Sequence, residues 1–208
     1  QNVEQTDKKS KKKTKSNDKK SKYKHDKSSK KSKKSKDSKK HKAEIQVFDT
    51  KPSNQFDGII RFLTTKTGGN IHQNGTIQIS SNSKSGKPPE HLLNLNSDDY
   101  FDTNSGSKDY WIKYDFKNRE IEISNYSIKS YSYSSGHLKS WVLEVSDNDQ
   151  SWETIDEHSD DPSLNGNGKA SSFTVKKKRF ARYCRIRCTG EFWGYRPFVS
   201  PGICKIEF

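Results

Sequence analysis

Three short stretches of this 208-residue chain gather side chains suited to recognition chemistry. The first, TGEFWGYRPFVSP, sets Phe192, Trp193, Tyr195 and Arg196 around a glycine. A ring in such a loop can stack on the apolar face of a sugar or anchor a protein interface, and a guanidinium adds a planar fork of donors. The competing role is structural, with Trp193 or Phe198 closing one end of a core. The second stretch, SYSYSSGHL, offers Tyr131, Tyr133 and His137. These residues suit hydrogen bonds to a polyol or a peptide backbone, and they equally suit covering a hairpin end. The third, NLNSDDYFDT, concentrates Asn96, Asp98, Asp99 and Asp102. Calcium takes oxygen ligands of this kind, so Asn96, Asp98 and Asp99 are candidate calcium ligands. Their spacing is not that of an EF-hand loop, and adjacent aspartates also serve as turn formers.

Catalytic chemistry finds no comparable support. The chain has no G-x-S-x-G, no P-loop and no H-E-x-x-H pattern. The pair Asp160-Asp161 lies in a Gly/Asn/Ser-rich loop, where solubility explains it more simply. The six histidines do not combine with cysteines at zinc spacing. No enzymatic activity and no cofactor are expected.

The elements that must position these loops follow from periodicity. In NQFDGIIRFLTTKTGG, Phe56, Ile59, Ile60 and Leu63 share one helical face, with Asn54 as N-cap and Gly68-Gly69 as the stop. Beyond this short amphipathic helix the period becomes two. GTIQISS, YWIKYDF, EIEISNYSIKSY, SWVLEVS, SSFTV, ARYCRIRC and GICKIEF are short, rich in β-branched and aromatic residues, and separated by turn-forming clusters. The expected class is all-β, an antiparallel sandwich or jelly roll. In ARYCRIRC, Arg182, Cys184, Ile186 and Cys188 should share one face and Tyr183, Arg185 and Arg187 the other. Two outward arginines could hold phosphate or carboxylate, but acidic neighbouring strands balance them in a domain of zero net charge. Trp141 alternates with Leu143 and Val145, SDNDQ reads as a turn, and Trp152 opens the return strand.

Charge divides the chain. Residues 1–42 carry 19 lysines and five acidic residues, the whole formal charge of +14, while the 21 basic and 21 acidic residues that follow cancel. With only Val3 and Tyr23 as sizeable apolar residues, this Lys/Ser-rich tail cannot bury enough surface to offset the entropy of ordering, about 1–2 kcal/mol per residue. It is read as disordered. Its lysines could hold nucleic acid or an acidic partner weakly, without sequence preference and with strong salt dependence. Alternatively, it is a nuclear-localisation patch or a solubilising linker. The chain starts at Gln1, so a fragment or a processed product is expected. No 18-residue apolar run occurs. Three cysteines do not make a disulfide framework, and Cys184 and Cys188, about 13 Å apart on a strand, cannot bridge each other. Reduced thiols point to a cytoplasmic or nuclear location.

Taken together, LLNLNSDDYFDT, DYWIKYDF, IKSYSYSSGHLKSWVLEVSDNDQSWETI, FARYCRIRCTG and GICKIEF, in that order, resemble the discoidin or coagulation factor 5/8 type C domain family. The lead-in FDGIIRFLTTKTGGNIHQNGTI resembles that of intracellular, BTB-associated versions. Secreted members close the sandwich with a cysteine near each end, and no early cysteine exists here. The resemblance implies a galactose-binding-like jelly-roll β-sandwich over 71–208, after a linker and helix at 43–70. It places both Trp141 and Trp152 in the framework. It also implies ligand-binding loops near 81–91, 130–138 and 189–198, and a non-catalytic role. A protein partner gripped by those loops is the leading expectation, a glycan on the same loops the alternative. Membrane insertion is not expected, because the 81–91 loop lacks an apolar wedge.

Overall fold

The computed structural model describes residues 46–48, 55–83, 87–103, 108–195 and 200–208. The lysine-rich tail, Asn54, Arg196 and Phe198 lie outside the described residues. Ile45–Phe208 cluster as one compact unit. No described helix is long and apolar enough to cross a membrane.

The period-two runs become strands, all paired antiparallel. They are β1 (Gln78–Ser81), β2 (Phe101–Asp102), β3 (Trp111–Asp115), β4 (Ile121–Glu122), β5 (Asn125–Ser130), β6 (His137–Leu138) and β7 (Trp141–Ser146). β8 (Glu153–His158), β9 (Ala170–Thr174), β10 (Phe180–Ala181), β11 (Tyr183–Cys188), β12 (Phe192–Trp193) and β13 (Gly202–Glu207) complete the set. A five-stranded sheet has the order β1-β3-β11-β7-β8, and a four-stranded sheet the order β2-β13-β5-β9. Two short ribbons, β10-β4 and β12-β6, sit beside them. This is a galactose-binding-like jelly-roll sandwich with one short helix. Its core holds Ile112, Tyr114, Leu143, Val145, Cys184 and Ile186 from the larger sheet. Tyr126, Ile128, Ile203 and Ile206 come from the smaller one. Trp141 is fully buried, and its indole Nε1–H donates to Tyr126 Oη at 2.9 Å. Tyr126 in turn donates to Asp156 at 3.0 Å, so the polar atoms of these rings are satisfied inside the core.

The outer face of the larger sheet is neutralised within itself. Glu144 of β7 is 5% exposed and accepts from Arg185 Nε at 2.6 Å and from Arg187 Nη2 at 3.0 Å. Burial pushes the Glu144 carboxyl up, but the two arginines outweigh it and hold it below the usual range. The outward arginines are therefore engaged by an acid on the neighbouring strand, as the balanced charge implied. Trp152 departs from expectation. It is half-buried on this outer face, under the Arg185 guanidinium at 4.1 Å, and is not a ring between the sheets. Arg182 also departs from the alternation, because the strand is interrupted there, between β10 and β11, and the pattern restarts at Tyr183. Its guanidinium turns outward and makes a two-pronged pair with Asp115 at 2.8 and 3.0 Å.

The helix α1 spans Ile59–Thr67, begins after Gly58 and stops at Gly68. Ile60 and Leu63 enter the core, whereas Phe56 precedes the helix. No local side chain caps it. The cap comes from the last strand: Glu207 accepts from Ile60 N at 2.6 Å and Arg61 N at 3.1 Å. Ile59 N donates to Phe208 O at 2.9 Å, an approach so close that a Cβ on Gly58 would lie 2.1 Å from that oxygen. An acid at a helix N-terminus satisfies orphan amides and suits the helix dipole, which is what Asn54 was expected to do.

Candidate functional site at the loop end

At one end of the sandwich three tyrosines pack together. Tyr133 is 56% exposed, and its ring lies 5.0 Å from Tyr131 and 5.7 Å from Tyr100, edge-on to the latter. Tyr131 is buried and donates its hydroxyl to Ser200 O at 2.7 Å, so it serves as the base of the cluster. The Tyr100 and Tyr133 hydroxyls meet at 3.4 Å. That contact, with burial and the nearby Asp102 carboxylate, raises the Tyr100 phenol to about 12. Burial raises Tyr131 to about 12. Both phenols therefore stay neutral donors at physiological pH.

The cluster is flanked by charge. Lys87 Nζ sits 4.0 Å from the centre of the Tyr100 ring and 3.0 Å from Asp99 Oδ1. Asp99 Oδ2 meets His91 Nδ1 at 2.6 Å. The Asp99 carboxyl is held below its usual range by its hydrogen bonds to His91 and Lys87. Asp98 turns elsewhere, to Lys129 Nζ at 2.5 Å. The expected calcium ligands Asp98 and Asp99 thus serve separate cations, and no group of three metal-ligating side chains forms among the described residues.

His137 is 2% exposed. Its Nδ1 accepts from Gly166 N at 3.1 Å, which leaves Nε2 as the donor to Tyr133 O at 2.7 Å. It holds the loop that presents Tyr133 and carries no free ring nitrogen. In the third loop, Phe192 is buried opposite Leu138 in the β12-β6 ribbon. Trp193 is half-buried, donates its Nε1–H to Asp161 O at 2.9 Å, and lies under Lys139 Nζ at 4.9 Å. Tyr195 packs on Phe192 at 5.1 Å and faces Lys108 Nζ at 4.6 Å. Between them Gly194 has φ +70, and a Cβ there would lie 2.7 Å from Ser135 Cβ, so the ribbon needs glycine.

Two of the three expected loops, 130–138 and 189–198, therefore supply two aromatic groups. Tyr131 and Tyr133 come together with Tyr100, while Trp193 and Tyr195 stand apart from them, each with its own lysine. Tyr100 was not anticipated, and Lys87 lies in the expected 81–91 loop but was not singled out. The available signal was alternation in DDYFDT: Phe101 is buried in β2, so the residue before it faces out.

Fold and loop end together define a galactose-binding-like ligand-binding module. The family model for the F5/8 type C domain matches residues 76–199, and the chain belongs to that family. No curated protein matches it in sequence. Among solved structures it is similar to CpGH89CBM32-5 from Clostridium perfringens, in complex with GalNAc-β-1,3-galactose. That match has TM-score 0.51 and 11% identity, and covers 64% of this chain and 94% of the other. Chitosan-binding module 1 from a Paenibacillus sp. IK-5 chitosanase/glucanase gives TM-score 0.50 at 16% identity, covering 64% and 93%. The family 32 CBM from C. perfringens NanJ, in complex with galactose, gives 0.50 at 13%, covering 64% and 92%. At these identities the likeness is one of fold.

Proposed function

We propose that this module binds a neutral glycan at its loop end, with Tyr133 as the stacking platform and Tyr100 and Lys87 at its rim. The observation that carries this reading is the Tyr133 ring, 56% exposed and braced from beneath by Tyr131. A preformed ring with adjacent phenol and ammonium donors matches a hexose, which has one apolar face and a rim of hydroxyls. Galactose-bound and chitosan-binding modules of the same fold support the reading. No catalytic step is proposed. The module acts by binding alone.

A protein partner on the same end is the second reading, favoured by Trp193 with Lys139 and Tyr195 with Lys108. Rings beside long cationic side chains are common anchors of protein interfaces. A glycan array probed with the intact chain and with Tyr133→Ala and Trp193→Ala separates the two. Glycan binding that is lost in Tyr133→Ala and kept in Trp193→Ala supports the first. An array without signal, together with a partner lost in Trp193→Ala, supports the second. We also place the module in the cytoplasm or nucleus, on the strength of three buried free thiols. Recovery of the native protein from culture medium with an oxidised cysteine would contradict that placement.

A further inference from the structure

A groove of about 460 Å³ is lined by α1, the turn that follows it and the segment before β2. One wall is Thr64 of α1 with the turn Gly69, Asn70 and Gln73, and the other runs from Glu90 to Asp99. The first wall precedes the family-matched residues 76–199, so the groove is built by the extra segment that this chain carries before its family domain. Asn70 ties the walls together. Its Nδ2 donates to Glu90 O at 3.3 Å, and its Oδ1 accepts from His72 N at 2.9 Å.

The lining is mixed, with Leu93 and Leu95 beside polar side chains that are largely unspent. The side chains of Gln73, Glu90, Asn94 and Asn96 make no hydrogen bond to protein among the described residues, so their donors and acceptors are available. His91 commits Nδ1 to Asp99, which leaves Nε2 as its remaining polar atom. Asp99 has both oxygens engaged, by Lys87 and His91, so the groove lacks the open carboxylate cluster that a cation would need. Amides, a carboxylate and an imidazole offer mixed donors and acceptors. This mixture matches sugar hydroxyls, each of which both donates and accepts.

A chain of side-chain contacts links the groove wall to the tyrosine cluster. Asp99, in its wall, touches Lys87 at 3.0 Å, Lys87 covers Tyr100 at 4.0 Å, and Tyr100 meets Tyr133 at 3.4 Å. We infer that the groove is a second subsite for the glycan held at Tyr133, so that the ligand is an oligosaccharide whose inner residues lie against Glu90, Asn94 and Asn96. This rests on the carbohydrate reading of the loop end.

Calorimetric titration of the intact chain with galactose and with GalNAc-β-1,3-galactose tests it. The disaccharide should bind roughly 10-fold tighter, the gain that a second set of hydrogen bonds provides. In the double variant Glu90→Ala, Asn96→Ala that gain should vanish while galactose binding stays unchanged, and Tyr133→Ala should lose both sugars. Equal affinity for the two sugars in the unmodified chain, or an undiminished gain in the double variant, overturns the groove and leaves Tyr133 standing. Failure of the unmodified chain to bind either sugar overturns the loop-end reading and the groove with it.

Discussion

Two acidic residues show how burial and partners set the roles of single side chains. Glu144 is the shared anion of Arg185 and Arg187. Removing the carboxylate takes from both arginines their shared, nearly buried partner, so Glu144→Gln should lower stability by about 1–3 kcal/mol in urea unfolding. A loss below about 0.5 kcal/mol would mean that the arginines are satisfied by solvent. Glu207 works in the opposite sense. Burial pushes its carboxyl from the ordinary 4.5 up to about 7, against the pull of the backbone N–H groups of Ile60, Arg61 and Phe208. The folded state therefore binds this proton more tightly than the unfolded chain does. The associated stability is complete below pH 4.5 and disappears as pH rises through 7, a change on the order of 3 kcal/mol. Melting curves at pH 5 and pH 8 should show this loss in the native chain and a much smaller one in Glu207→Gln. A native chain that gains stability across the same window would contradict the assignment. Side-chain roles of this kind were only partly legible in the sequence. Composition singled out Tyr131, Tyr133, His137, Phe192, Trp193, Tyr195 and Arg196 as candidate loop residues, and of these the structure buries Tyr131, His137 and Phe192 and leaves Tyr133 exposed. Whether each ring faces solvent depends on backbone partners such as Gly166, Ser200 and Asp161, and no local pattern reveals them.

Among the elements, strands were far easier to read than the helix start. Alternation in ARYCRIRC survives as β11 because one face meets the core and the other meets water and Glu144. In β7 all six residues are buried, so alternation marks only the side of the sheet that each faces. The N-cap of α1 was misplaced because its capping acid lies 147 positions away from the amide it serves. That long-range cap makes α1 part of the sandwich. Ile60, Leu63 and Ile71 are all buried, each worth about 1.5–3 kcal/mol of apolar burial. A chain cut to begin at residue 76, where the family match starts, loses all three and leaves Glu207 without its amides. It should fail to unfold cooperatively, as seen by circular dichroism and near-UV signals. A sharp, native-like transition in the truncated chain would contradict the docking of α1.

Across the whole molecule, the charges of residues 43–208 cancel and residues 1–42 carry the entire net charge. The resemblance in five ordered motifs was enough to place the fold, and it implied the loop end as an expectation. It could not rank the rings within that end, because family members share a framework and vary in the loops. Trp193 drew attention by its type, but its Nε1–H is spent on Asp161 O, and Tyr133 is the more exposed ring. The central claim is that Tyr133, and not Trp193, holds a glycan. The most direct measurement is the affinity of the intact chain for galactose-containing glycans, compared with that of its Tyr133→Ala and Trp193→Ala variants. Loss of a stacking ring costs about 1–3 kcal/mol, so affinity should fall roughly 10- to 100-fold in Tyr133→Ala and stay within about two-fold in Trp193→Ala. Unchanged affinity in Tyr133→Ala, or a loss confined to Trp193→Ala, would contradict it.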